Sequence, residues 1–265
     1  NYIIGKEDID VEEARKLMSL YISNVTRKAL KFIRENISDD KEALLSQIKT
    51  CNEIISTLSC NVDSEEFDSM KISEEGKILT SIYARMNNVN SINNKKVTRP
   101  VTPLSQSSLF TGSHYEPNML EELKREIVTC DSIDMLVSFI KWSGLRCIIE
   151  ELRDFTERKG KLRVITTTYM GATDYKAIFE LSKLRNTEIK ISYDTNSTRL
   201  HAKAYMFKRE TGFTTAYIGS SNLSNSAITS GLEWNIKVTE KDSFDIIKKF
   251  EATFESYWND EEFIL

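Results

Sequence analysis

Leu200-His201-Ala202-Lys203-Ala204-Tyr205-Met206-Phe207-Lys208 is the stretch that decides the fold. It reads as an apolar β-strand, and a strand puts residues i and i+2 on one face, so His201 and Lys203 point the same way. The next apolar run, Ala216-Tyr217-Ile218-Gly219, ends in Ser220-Ser221-Asn222, where the same parity links Ser220 to Asn222. Glu210-Thr211-Gly212 between them is turn chemistry, so the two runs are expected to pair as a hairpin with their polar residues converging. A third run alternates. Leu232, Trp234, Ile236 and Val238 form an apolar face and Glu233, Asn235 and Lys237 a polar one, which predicts a half-buried strand with Glu233 at the head of its polar face.

Working back from these strands, helices and strands alternate. Helices are expected at Met119–Val128, Gly144–Arg158 and Asp174–Leu184, with strands at Ile133–Ile140, Leu162–Thr168 and Glu188–Tyr193. The three site-bearing strands follow, at Leu200–Lys208, Thr214–Gly219 and Leu232–Thr239. A last amphipathic helix, Ser243–Trp258, offers Phe244, Ile247, Phe250, Phe254 and Tyr257 to a core. This is the pattern of an α/β domain, a mixed sheet flanked by helices on both faces.

The three strands gather one imidazole, one ammonium, one amide and one carboxylate, the set a metal-free phosphodiesterase needs. Singly, each residue has an ordinary explanation. A strand histidine is more often structural, and Ser220 and Asn222 suit a turn. Glu233 could pair with a lysine at a sheet edge. Lys203 alone would be a surface lysine, although in an apolar strand an unpaired ammonium is costly and calls for an anion such as phosphate. Jointly, the site reading is the stronger one. His114 stands in a proline-containing segment without a partner at motif spacing and reads as structural or exposed. Arg199 and Tyr193 fall near the expected mouth, within reach of a phosphate or a base.

These residues resemble the signature of the phospholipase D superfamily: His201-Ala202-Lys203, then Gly219-Ser220-Ser221-Asn222, then Glu233 at the interval of its nuclease branch. The family's usual Asp five positions after the lysine is here Lys208. Ser138-Phe139-Ile140-Lys141-Trp142-Ser143-Gly144, Arg163-Val164-Ile165-Thr166-Thr167, Tyr169-Met170-Gly171-Ala172-Thr173-Asp174 and Ile191-Ser192-Tyr193-Asp194 are similar to a narrower subgroup. In that subgroup a phospholipase D-like domain precedes the DEAD/DEAH-box helicase module of bacterial restriction- and defence-type proteins. The likeness runs from about Arg99 to the C-terminus.

The resemblance implies phosphodiester hydrolysis through a phosphohistidine. His201 would attack phosphorus, in keeping with an unperturbed imidazole pKa of ~6.5. Glu233 would orient the ring, while Lys203, Ser220 and Asn222 would hold phosphate oxygens, Lys203 and Asn222 stabilising their charge. The family normally uses two His-x-Lys copies, and this chain has one, which implies a homodimer with a shared site on a twofold axis. The implied substrate is DNA, the implied partner a covalently linked helicase module, and no cofactor or metal is called for. Two competing readings are a non-catalytic nucleic-acid-binding module, kept open by Lys208, and a lipid-directed phospholipase, disfavoured by the absent Asp.

Composition bounds the rest. With 265 residues, 40% hydrophobic and 29% charged, the chain has ample core for one large domain or two small ones. A net charge of −4 gives no global basic signal, so nucleic-acid contact must rest on a local patch. No apolar run approaches the ~18 residues of a membrane span, no signal peptide is visible, and Asn1 at the start suggests a fragment. Cys51, Cys60, Cys130 and Cys147, unclustered, read as reduced thiols of a cytoplasmic protein. Only two histidines are present, which makes a structural zinc site a poor fit. No phosphate-binding Gly-x-x-x-x-Gly-Lys loop occurs, so any helicase motor lies elsewhere.

Residues 1–98 read as a helical accessory domain and linker, and 99–265 as the phospholipase D-like nuclease domain. Asp10 with Glu13 forms a capping box before Val11, Ala14, Met18, Tyr21, Ile22, Val25, Ala29, Phe32 and Ile33 at helical spacing. Leu44, Ile48, Cys51, Ile55 and Leu58 predict a second helix, and Leu79, Ile82, Tyr83 and Met86 a third over Glu74–Met86, together a small bundle. From Asn87 to Tyr115 the composition turns to Asn, Ser, Thr, Lys and Pro, the pattern of a linker or long connection.

Overall fold

The computed structural model describes residues 8–78, 99–113, 115–193 and 200–264. They fall into two compact units, one within Asn1–Leu79 and the other within Thr80–Leu265.

In the first unit, α1 (Val11–Asn36) and α2 (Asp40–Val62) begin at short acidic caps. The Asp10 carboxylate accepts from the Glu12 amide at 2.8 Å, and Asp39 accepts from Glu42 at 2.8 Å. Gln47 ties the two helices together by donating to the Leu30 carbonyl at 2.8 Å. The expected third helix does not start at Glu74. Residues Glu74 and Glu75 form a turn, and Gly76 takes a φ of +60°, which a helix does not tolerate. The remainder of that expectation, residues 79–86, lies outside the described residues. The apolar stripe of α1 also departs from expectation: none of its residues is buried, and Met18, Tyr21, Ile22 and Phe32 are exposed. A stripe that wide needs more than one neighbouring helix to cover it.

The second unit runs β1 (Ser108–Phe110), α3 (Met119–Thr129), β2 (Ser132–Val137), α4 (Trp142–Leu145), α5 (Ile149–Glu157), β3 (Lys161–Thr167), α6 (Tyr175–Ser182) and β4 (Thr187–Ser192). It continues with β5 (Lys203–Lys208), β6 (Thr215–Gly219), α7 (Asn225–Thr229), β7 (Asn235–Thr239), α8 (Phe244–Trp258) and β8 (Phe263–Ile264). The strands form one eight-stranded mixed sheet in the order β1-β7-β6-β5-β2-β3-β4-β8. β2, β3 and β4 are parallel to one another and the remaining pairs antiparallel. The hairpin expected from Glu210-Thr211-Gly212 is β5–β6, with Gly212 at a φ of +77° in its turn.

Strand parity distributes the core. Tyr205, Phe207 and Tyr217 pack on one face of the sheet with Leu123, Ile127, Leu152 and Phe155 from the helices. On the other face, Phe254 and Trp258 of α8 cover Leu136, Ile165 and Ala204, and Ile247 covers Met206, Ala216 and Val238. Fully buried aromatics such as Phe207 are worth about 3–5 kcal/mol against truncation to Ala.

Two expectations are corrected here. The single helix expected over Gly144–Arg158 is two, α4 and α5, because the chain turns over residues 146–148, where Ile148 leaves helical geometry at φ −127° and ψ 2°. The faces of β7 also depart from expectation: Val238 is buried as expected, but so are Asn235 and Lys237 of the polar row, and the start of the apolar row is not. Lys237 is 0% exposed, whereas Trp234 is 61% and Ile236 45% exposed.

The physical reason for that departure is a buried ionic cluster. Glu126 of α3 meets Arg209 at 2.6 Å and Lys237 at 3.0 Å, and accepts from the Tyr217 hydroxyl at 3.0 Å. Burial pushes the Glu126 carboxyl up, but Arg209 and Lys237 outweigh it and hold the group at about 2. Of the two readings of the Asn87–Tyr115 stretch, the same cluster favours the long ordered connection over residues 99–113. Glu122 accepts from the Val101 amide and the Thr102 hydroxyl, both at 2.6 Å, Lys237 donates to Thr102 Oγ1 at 2.8 Å, and β1 joins the sheet.

Candidate active site

β5 runs antiparallel to β2 with Val137 opposite Lys203, so the C-terminal ends of β2, β3 and β4 and the start of β5 share one edge of the sheet. The end of β6 and the start of β7 reach the same edge, with Gly219 opposite Asn235. That edge carries every site residue expected from the sequence. His201 and Glu233 lie just outside the strands predicted to hold them, because β5 begins at Lys203 and β7 at Asn235.

Successive amides at the end of β2 collect two of the segments. Ser138 N donates to the Ala202 carbonyl at 2.9 Å, and Phe139 N donates to Asn222 Oδ1 at 3.2 Å. His201-Ala202-Lys203 and Asn222 are thereby hung from neighbouring residues. Because Asn222 Oδ1 is committed to Phe139, the donors of its Nδ2 face elsewhere. His201 is exposed, and its Nε2 lies 3.0 Å from Lys203 Nζ, as strand parity predicts. Lys203 is 7% exposed. Burial holds its ammonium below the ordinary lysine range, and the negative charge of Glu233 opposes that shift. Glu233 is half-buried beside a cavity of about 250 Å³ that it lines with Asn235 and Glu116.

Ser220 is exposed and fastens β6 to the approach of β7. Its amide donates to the Trp234 carbonyl at 3.0 Å, and its Oγ accepts from the Trp234 amide at 3.0 Å. The glycine before it has a steric reason. A Cβ on Gly219 would come 2.1 Å from Trp234 O, so only glycine lets the two backbones pass.

Three residues that sequence reasoning passed over form a buried layer beneath the site. Ser221 is held at its amide by Asn235 Oδ1 (3.4 Å) and at its hydroxyl by Asn235 Nδ2 (2.7 Å), and its carbonyl accepts from the Tyr205 hydroxyl (2.9 Å). Tyr205 stands two residues after Lys203, Asn235 two after Glu233, and Ser221 between Ser220 and Asn222. Parity could have found Tyr205 and Asn235, since i+2 along a strand is the next residue on the same face.

Lys208 faces away from the site. Five residues from Lys203 is an odd step, so its side chain leaves on the α8 face, where it pairs with Asp134 at 2.6 Å. Asp134 also holds Arg163 at 2.7 Å, and Arg163 reaches Glu255 at 2.6 Å. The acid missing from β5 therefore has a counterpart on the adjacent strand. Tyr193 is exposed just beyond β4, while His114 and Arg199 lie outside the described residues. Among the described residues, no three His, Cys, Asp or Glu side chains gather in a way that could hold a metal ion, and no helix is long and apolar enough to cross a membrane.

Comparison with known proteins gives a family match. Residues 123–258, just over half of the chain, match the family model described as cardiolipin synthase, PLD-like domain. No curated protein matches the sequence. Among solved structures, NucT from Helicobacter pylori is 20% identical with a TM-score of 0.45, over 57% of this chain and 94% of that one. Nuc from Salmonella typhimurium, a phospholipase D family member, is 19% identical with a TM-score of 0.41, over 58% and 95%. Yeast tyrosyl-DNA phosphodiesterase is 11% identical with a TM-score of 0.33, over 50% and 31%. Likeness at this level carries neither substrate nor partner across.

Proposed function

We propose a function from one premise: the chain belongs to the PLD-like domain family. On that premise it is a phosphodiesterase that cleaves DNA without a metal, through a phosphohistidine. The observation that carries the reading is the 3.0 Å approach of Lys203 Nζ to His201 Nε2 at the sheet edge that also holds Asn222. In this arrangement the nitrogen that attacks phosphorus and the cation that receives the phosphate are adjacent.

His201 Nε2 forms the bond to phosphorus as the bond from phosphorus to the leaving oxygen breaks. Lys203 and the Nδ2 donors of Asn222 stabilise charge on the non-bridging oxygens, with Ser220 at the rim. Glu233 orients the ring. Water then cleaves the phosphorus–nitrogen bond and returns His201. The leaving oxygen needs a proton, and with a single His-x-Lys we assign that donor to a second copy of the chain, whose own His201 completes a shared site across a twofold axis. The stretches Ser138–Gly144 and Tyr169–Asp174 support placing this domain, residues 99–265, in a larger cytoplasmic restriction- or defence-type helicase protein. The position of Lys208 on the far face supports activity despite the departure from the family motif.

The test is cleavage of labelled DNA in EDTA by wild type and His201→Ala, with acid-quench trapping of labelled phosphoenzyme. Expected are metal-independent cleavage, a trapped intermediate in wild type only, and a rate loss of on the order of 10³ or more in the variant. Cleavage that vanishes in EDTA and returns with magnesium overturns the metal-free mechanism, and wild-type rates in His201→Ala overturn the phosphohistidine. Wild type that binds DNA but never cleaves it replaces the enzyme with a binding module. Sedimentation of active protein as monomer at micromolar concentration overturns the shared site.

A further inference from the structure

Three of the four apolar residues that the sequence assigned to the core at and before β7 are out in solvent. Leu232 is 83% exposed, Trp234 and Ile236 emerge on the same side, and Leu109 of β1, opposite Ile236, extends the row to the sheet edge. α8 covers Val238 but stops short of these residues. Trp234 is the member with a place in the site. It follows Glu233 directly, and both of its backbone polar groups are bonded to Ser220, so its backbone is held at the rim.

Charge sharpens the question. A chain of net charge −4 gains nothing from general electrostatics when it meets a polyanion. One buried ammonium, Lys203, can hold the phosphate under attack, and an uncharged point of attachment would add affinity that does not depend on charge. A solvent-facing indole whose backbone is fixed next to Glu233 provides one, because every base has a π-face to stack. The stacked base must be unpaired, since a base inside a duplex shows its face only to its neighbours.

We propose that Trp234 is a stacking platform for an unpaired base adjoining the phosphate bound at His201 and Lys203, and so selects single-stranded or frayed nucleic acid. The phosphate lies on the side of the edge that carries Lys203 and Glu233, and the next base turns over the rim onto the indole on the opposite side. This assignment rests on the nucleic-acid reading of the site given above.

The test separates the two. Protein carrying His201→Ala and 5-fluorotryptophan is titrated with a ten-nucleotide thymidine strand and, separately, with a blunt duplex of the same length. Anisotropy reports binding and ¹⁹F spectra report each indole. The chain has three tryptophans, and Trp234→Phe assigns the resonance. Expected are a shift of the Trp234 signal on adding the single strand, weaker binding of the duplex, and an affinity loss of about fivefold or more for Trp234→Ala that Trp234→Phe largely restores. Single-strand binding with an unmoved Trp234 signal overturns the platform and leaves the nucleic-acid reading standing. A Trp234 signal that moves with protein concentration but not on adding the single strand also overturns the platform and assigns the row to contact with a second copy. No binding of either nucleic acid overturns both.

Discussion

Asn235 grips Ser221 with both ends of its amide, donating to Oγ at 2.7 Å and accepting from the backbone amide at 3.4 Å. The bond joins the loop that presents Asn222 to the strand that follows Glu233, below the surface where phosphate would sit. Asn235→Ala is expected to cost about 1–3 kcal/mol of stability, because Ser221 loses buried partners. In a cleavage assay kcat should fall roughly tenfold or more with KM changed little, since the loss is one of alignment. A pure KM effect would place Asn235 in substrate binding instead.

Lys203→Met should raise Tm while abolishing protection by phosphate. Burial lowers the lysine's pKa in the fold, so the fold disfavours the ammonium and carries that cost at every pH below the folded value. The cost fades as pH rises from the folded pKa towards the ordinary one. The variant should therefore be more stable than wild type at neutral pH, by a margin that shrinks at alkaline pH. Thermal melts across pH, with and without inorganic phosphate, read both effects.

Glu126→Gln is expected to destabilise the domain by about 3–5 kcal/mol, the usual cost of leaving buried cations unpaired. The pH dependence fixes the cause. The folded carboxyl, held at about 2 against an ordinary 4.5, contributes its stabilisation fully above 4.5 and loses it as pH falls through 2. The gap between wild type and variant should narrow over that interval in acid melts.

Lys208→Asp, which restores the family's usual acid, should harm rather than help. The new carboxylate would face Asp134 on the α8 side, where Lys208 now lies at 2.6 Å. Tm should fall by several degrees while cleavage below the melt stays near wild type. A large gain in rate would mean that the strand parity has been misjudged.

The sheet was legible in the sequence because its strands are short apolar runs split by turn residues. The closeness of His201 and Lys203 was legible because i and i+2 share a face. Parity alone could not say which face of β7 is inward. Apolar alternation pointed one way, and the choice belonged to Glu122 and Glu126, two carboxylates on a helix more than a hundred residues earlier, which demand Lys237 and Arg209 as partners. β1 was hidden for a similar reason: three residues in a Ser- and Pro-rich stretch are strand only because β7 offers an edge. Ser221 escaped notice because its partners, Tyr205 and Asn235, come from strands that only the fold makes neighbours.

The hold of Glu122 and Lys237 on Val101 and Thr102 has a practical corollary for dissection of the protein. A fragment that starts a few residues late, at Leu104, would strip two donors, the Val101 amide and the Thr102 hydroxyl, from the buried Glu122 carboxylate and one acceptor, Thr102, from Lys237. One that starts at Arg99 keeps them. The first usable cut in this polypeptide is set by an ion cluster under the sheet rather than by where the low-complexity stretch ends.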